Sequence, residues 1–200
     1  MSFQLPHIIS WAHRFAEEIL KPGDLAVDLT AGKGRDTLML YRCVSPGGRV
    51  LAFDIQQQAL CASAELLEDA GVSSVLVNDA ERTDAPAGVQ LIHADHARLA
   101  DYLDAAPKVV MANFGYLPGG DPEVITRSAS SCTALEVALD LLAPGGRLVC
   151  VLYTAHPGGD QEAAAVEALL ASLSSRDWFV LRLQVGNRCQ APYLLVAEKR

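Results

Sequence analysis

Asp28, Thr30, Gly32, Lys33, Gly34, Asp36 and Thr37 fall within ten residues, in the run VDLTAGKGRDT. Glycines at such a turn let the backbone bend sharply and approach a ligand closely. A second carboxylate, Asp54, ends the run LAFD 26 residues after Asp28 and is followed by Gln56. A carboxylate there can accept hydrogen bonds from both hydroxyls of a ribose. Taken singly, the first run also suits an ordinary Gly-rich turn, and Asp54 a helix cap. Together they favour a nucleoside cofactor, either NAD or S-adenosylmethionine. A dinucleotide loop sets a small third residue against the sheet and a helix N-terminus at the pyrophosphate. Here Thr37 occupies that third place. Asp28 and Asp36 bring negative charge that suits an ammonium or a sulfonium. S-adenosylmethionine carries both cations and no phosphate, so the charge favours it.

Further along, LIHADH supplies Asp95 and His96 as candidates for the adenine amino group, with His93 read as structural. The run NFGYLPGGD, from Asn113 to Asp121, places a carboxamide where a strand should end. The Asn113 side-chain oxygen and the Phe114 carbonyl can both accept from an amine, aiming its lone pair at a methyl donor. Gly115 is a further substrate-side candidate, and Tyr116 offers an aromatic face to a flat base or a developing positive charge. A Gly-Pro turn with a buried aromatic is the alternative reading of this run. Tyr153 and His156, in YTAHPGG, and Asn187 are expected at the same sheet end. His156 serves equally well as a proton relay or as a structural residue. His13 reads as a satisfied histidine on an amphipathic helix.

These residues need a scaffold, and the apolar runs define one. They span residues 25–29, 49–54, 89–93, 108–113, 147–153, 178–185 and 193–198, with helical periodicity over 36–43, 57–70, 98–103, 130–142 and 161–173. Alternation of the two implies βαβ units and a mostly parallel sheet with helices on both faces. The last two runs leave no room for a helix and predict an antiparallel hairpin at one edge. Residues 73–88 read as a long irregular loop. One α/β domain over residues 1–200 is expected, with 1–22 as an N-terminal helical segment packed on it. The 16 basic against 24 acidic residues, net −8, exclude a polycation that holds nucleic acid by bulk charge. Five scattered cysteines without a C-x-x-C pair read as buried free thiols, and no metal site is expected. No signal peptide or membrane span is visible, so a cytoplasmic protein is expected.

The three motifs, Asp28-x-Thr30-x-Gly32-x-Gly34-x-Asp36-Thr37, Asn113 to Asp121 and Tyr153-Thr154-x-His156-Pro157-Gly158-Gly159, together resemble the putative rRNA methylase family of the YtqB type. The resemblance implies a Rossmann-like class I methyltransferase with a seven-stranded sheet, S-adenosylmethionine as cofactor and a homodimer. It also implies action on tRNA, methylating the 5-aminomethyl group of a wobble 2-thiouridine. Carried over by position, Lys33, Asp54, Gln56 and His96 contact the cofactor, and Asn113 and Tyr116 the target. The Asn-x-x-Tyr centre resembles the Asn-Pro-Pro-Tyr motif of amino methyltransferases. The chain departs from the family pattern at Lys33, Arg35 and Asp95, and in the length of 73–88. Rival readings are a methyltransferase acting on rRNA, a small amine or a protein, and a noncatalytic module that binds RNA or the cofactor. A nicotinamide oxidoreductase is a more distant one.

Overall fold

The computed structural model describes residues 5–78, 87–115, 126–188 and 190–200. In chain order they form α1 (Ile8–Glu17), β1 (Leu25–Asp28), α2 (Arg35–Val44), β2 (Arg49–Asp54), α3 (Gln57–Asp69), β3 (Ser74–Asn78) and β4 (Gly88–His93). A 3-10 turn (His96–Arg98) then runs into α4 (Leu99–Tyr102), followed by β5 (Val109–Phe114), α5 (Ser128–Leu141), β6 (Arg147–Leu152), α6 (Gly159–Ala171), β7 (Trp178–Leu183) and β8 (Tyr193–Lys199). The eight strands make one sheet in the order β3-β4-β2-β1-β5-β6-β8-β7. The first six in that order are parallel to their neighbours. β8 lies antiparallel between β6 and β7.

Strand residues alternate between two cores. Val27, Phe53, Val110, Ala112 and Cys150 face one side with α5 and α6 residues, while Ala26, Ala52, Val109, Met111 and Val151 face the other with α1, α2 and α3 residues. A central strand so covered is apolar at every position, which is why these runs carry no alternation in the sequence. Ala12 and Ala16 seat α1 on the second face, and Arg147 of β6 ties it down by donating to the Phe15 carbonyl (2.9 Å) and the Glu18 carboxylate (2.5 Å).

The sheet has eight strands where seven are expected. The extra one, β3, lies inside the span read as an irregular loop and pairs with β4 from Ser74 opposite Val89 to Asn78 opposite His93. As an edge strand it needs only one neighbour and buries only Val77 fully, leaving Val75 and Leu76 about half exposed. Three apolar residues between polar ones give too short a signal to register. Cys43, Cys61, Cys132 and Cys150 are free thiols; only Cys150 is fully buried, and Cys61 is exposed rather than buried. Cys189 lies outside the described residues. No helix among the described residues is long and apolar enough to cross a membrane.

Candidate active site

The carboxyl ends of β1, β2, β4 and β5 surround a cavity of about 940 Å³. That is near the upper end of the roughly 300–1,000 Å³ typical of small-molecule sites. Its floor is the turn between β1 and α2. Gly32 and Gly34 both have positive φ (53° and 77°). A Cβ on Gly34 would also lie 2.9 Å from the Ser63 backbone, so α3 packs directly on this turn. Ser63 donates to the Gly32 carbonyl (3.0 Å) and fixes it further. Asp54, at the end of β2, accepts from the Gly32 N–H through one oxygen and the Gln56 N–H through the other, both at 2.9 Å. Each oxygen keeps a lone pair for a ligand. Burial holds the Asp54 carboxyl above the usual range.

Gly34 packs against α3 rather than lining the cavity, and Asp28 and Thr37 lie beneath the turn, also outside the cavity wall. Asp28 is fully buried and accepts from the Thr37 hydroxyl (2.7 Å) and the Thr30 N–H (3.1 Å). Burial and the nearby Asp36 charge push its carboxyl up to about 7. The Thr30 hydroxyl in turn accepts from the Asn113 N–H (2.8 Å), joining the β1 turn to the end of β5.

Asn113 stands in the wall with its side-chain nitrogen donating to Asp36 Oδ2 at 2.5 Å. Its side-chain oxygen is buried and has no hydrogen-bond partner among the described residues. Asp36 Oδ1 is 2.6 Å from His13 Nε2 of α1. That hydrogen bond raises the His13 pKa against the opposing effect of burial. His96 is a second buried polar group in the wall. Its Nδ1 lies 3.1 Å from the Leu29 carbonyl, so Nδ1 carries the proton and Nε2 is left as an acceptor. Nε2 is buried and unpartnered among the described residues, and burial lowers the ring pKa, keeping it neutral.

Lys33, Gln56, Asp95, Gly115 and Tyr153 complete the predicted residues that reach the wall. Asp95 also caps the 3-10 turn by accepting from the Ala97 N–H (2.9 Å). Phe114 is buried, its ring edge-on to His96, and its carbonyl already accepts from the Tyr153 N–H (3.1 Å). His156 sits outside the wall, half-buried, with Nδ1 3.1 Å from the Pro157 carbonyl. Asn187 is exposed between β7 and β8, also outside it. Tyr116 and residues 117–121 lie outside the described residues.

Ile9, His13, Arg35, Thr126, Arg127 and Ser130 line the cavity without having been singled out as site residues. Thr126 clasps the chain after β5. It receives the Gly115 N–H on its hydroxyl (2.9 Å), gives its own N–H to the Gly115 carbonyl (3.0 Å) and donates to the buried Glu162 (2.6 Å). Ser131 donates to the other Glu162 oxygen (2.6 Å). No spacing in the sequence links Thr126 to Glu162 of α6; only the tertiary fold does.

A sequence model of the family described as Putative rRNA methylase matches residues 50–199. The chain belongs to that family. The tRNA (mnm(5)s(2)U34)-methyltransferase, chloroplastic, of Arabidopsis thaliana is 35% identical over 196 residues, 94% of this chain and 68% of that protein. A putative rRNA-methylase from Clostridium thermocellum superposes with a TM-score of 0.88 at 31% identity, over 99% of this chain and 100% of that one. A putative methyltransferase from Streptococcus mutans, solved in complex with SAH, gives 0.84 at 31% identity, over 98% and 100%. This rRNA methylase family member thus has the class I methyltransferase fold, with an extra parallel strand at the β3 edge. The matched span begins in β2, so α1 and the Gly turn lie outside that span.

Proposed function

We propose that this protein transfers the methyl group of S-adenosylmethionine to the primary amine of 5-aminomethyl-2-thiouridine at the wobble position of tRNA. The observation that carries the amine is the Asn113 carboxamide. Its nitrogen is held by Asp36, and its buried oxygen lacks a hydrogen-bond partner among the described residues. An orphaned buried acceptor is costly unless a ligand donates to it, and an amine N–H does so. The likeness to the Arabidopsis tRNA methyltransferase supports the RNA substrate.

The cofactor fits the residues present. Asp54 has lone pairs left for the ribose hydroxyls, and His96 Nε2 and Asp95 offer acceptors to an adenine amino group. Lys33 offers a counter-charge to a carboxylate from the same turn. When bound, S-adenosylmethionine supplies an electrophilic methyl carbon on a sulfonium. Asn113 Oδ1 accepts one N–H of the incoming neutral amine and so turns the nitrogen lone pair toward the donor side of the cavity. Gly115 and Tyr153 form the adjoining wall. The surplus proton left on the methylated nitrogen passes to water, and no side chain is needed as a base.

The deciding experiment takes tRNA from cells lacking this protein, digests it to nucleosides and reads them by mass spectrometry. The expected result is accumulated 5-aminomethyl-2-thiouridine that the purified protein and S-adenosylmethionine convert to the methylated nucleoside. An unchanged wobble nucleoside would overturn the substrate assignment.

Asp54→Ala tests the cofactor half. It removes the acceptor for two ribose hydroxyls, each charge-assisted bond being worth about 1.5–3 kcal/mol. The dissociation constant for S-adenosylmethionine, measured by calorimetry, is expected to rise about 100-fold, a change of roughly 3 kcal/mol. An unchanged constant would remove Asp54 from the cofactor site.

A further inference from the structure

The chain His13–Asp36–Asn113 crosses from α1 through α2 to the end of β5, and none of its links is local in sequence. Asp36 engages both of its oxygens within the protein, one with His13 (2.6 Å) and one with the Asn113 side-chain nitrogen (2.5 Å). An ionised carboxylate only accepts hydrogen bonds, so it admits only the nitrogen end of the carboxamide. The oxygen end is thereby turned away, which explains why a buried Asn113 Oδ1 stays unpartnered among the described residues.

We infer that Asp36 and His13 are positioning residues: Asp36 clamps the Asn113 amide with its oxygen toward the substrate, and His13 balances the Asp36 charge so that the amine binds uncharged. This rests on the amine methylation proposed above and extends it. An amine held at Asn113 Oδ1 is one carboxamide away from Asp36. An uncompensated carboxylate that close stabilises the ammonium form, whose lone pair is already spent on a proton. The imidazolium of His13 offsets it. The charged groups facing His13 favour that protonated state: Asp36 on α2, Glu17 on its own helix and Asp28 at the end of β1. The other charges where α1 packs, Glu18 with Arg147 of β6 and Glu198 of β8, are tied to one another. Lys33 and Arg35 line the same cavity, with no ion pair to Asp36 among the described residues.

His13→Gln keeps a donor for Asp36 and removes the charge. With tRNA carrying 5-aminomethyl-2-thiouridine, kcat at pH 7 is expected to fall about tenfold and to recover by about pH 9, the acid limb of its profile moving up by about one pH unit. The S-adenosylmethionine dissociation constant should stay within about twofold. Asp36→Ala, which removes the acceptor for the Asn113 amide, should lower kcat at every pH without recovery. Loss in His13→Gln that is equal at all pH values would mean a merely structural histidine and would overturn the charge-balancing role.

The clamp has a readout that needs no turnover. In protein labelled with ¹⁵N at asparagine, the Asn113 side-chain amide resonance should titrate with the midpoint of His13, and this titration should vanish in His13→Gln. An Asn113 amide indifferent to His13 would overturn the chain even in an active methyltransferase. If the wild-type protein methylates no amine, the functional reading and the charge-balancing role fall together, while the resonance alone still judges the clamp.

Discussion

Asn113→Ala is expected to lower kcat about 10²–10³-fold while the dissociation constant for S-adenosylmethionine changes less than about threefold. The magnitude follows from removing a preorganised polar group aimed at the reacting atoms, which typically costs that much. A misdirected lone pair adds to it, since orientation supplies much of the acceleration when one reactant brings its own nucleophile. The fold should tolerate the change. The Asn113 backbone N–H still donates to Thr30, and β5 keeps its pairing with β6. Asp36 retains His13 and is in the cavity wall, where water can replace the lost amide. Single-turnover methyl transfer, with calorimetry for the cofactor, separates the two effects. Asn113→Asp should be at least as damaging, because it sets a second carboxylate against Asp36 and captures the amine as an ammonium. Full activity in Asn113→Ala would remove the acceptor on which the amine assignment stands.

The central sheet was legible because its strands are covered on both faces. Runs such as Val109–Phe114 and Arg147–Leu152 admit almost no polar residue, and Pro-Gly turns punctuate them. The Gly-turn side of the candidate site is legible for a different reason. A turn that needs glycine at positive φ, with a carboxylate at the end of the next strand, leaves a mark in spacing. β3 left none, since an edge strand with one buried side chain imposes little on its sequence. His13 shows in the sequence only as a polar residue among apolar ones, and the Gly turn gives its partner Asp36 a cofactor role alone. Thr126 and Glu162 meet only because α5 packs on α6, and contacts between elements distant in the chain carry no periodicity. The missed residues are therefore those that join elements, and the recovered ones are those that shape a single turn or strand end.

The stability of the free protein is expected to fall as pH rises from about 4 to about 8, and Asp28→Asn should remove most of that slope. Asp28 is fully buried, and burial together with the Asp36 charge raises its carboxyl from an ordinary 3.8 to about 7. A group whose folded-state pKa is raised binds its proton more tightly in the native chain. Its favourable contribution is complete below the unfolded-state value and is lost as pH climbs through the folded-state value. The gap between 3.8 and about 7 corresponds to about 4 kcal/mol. At about 2–4 °C per kcal/mol for a chain of this length, the wild-type Tm should drop roughly 10 °C more than that of the variant across this range. Asparagine suits the site, because its oxygen can accept from the Thr30 N–H while its nitrogen donates to the Thr37 hydroxyl. His96 acts in the opposite direction and cancels when the two proteins are compared, while His13 acts in the same direction and nearly cancels, the Asp28 charge being the smallest of the effects that favour its proton. Parallel melting curves for the two proteins would show that Asp28 keeps its charge beneath the turn. A slope confined to the wild type would mean that the fold shelters a neutral carboxyl under the Gly turn in mild acid. It would then ionise at the same pH at which Asp36 relies on His13 to balance its own charge.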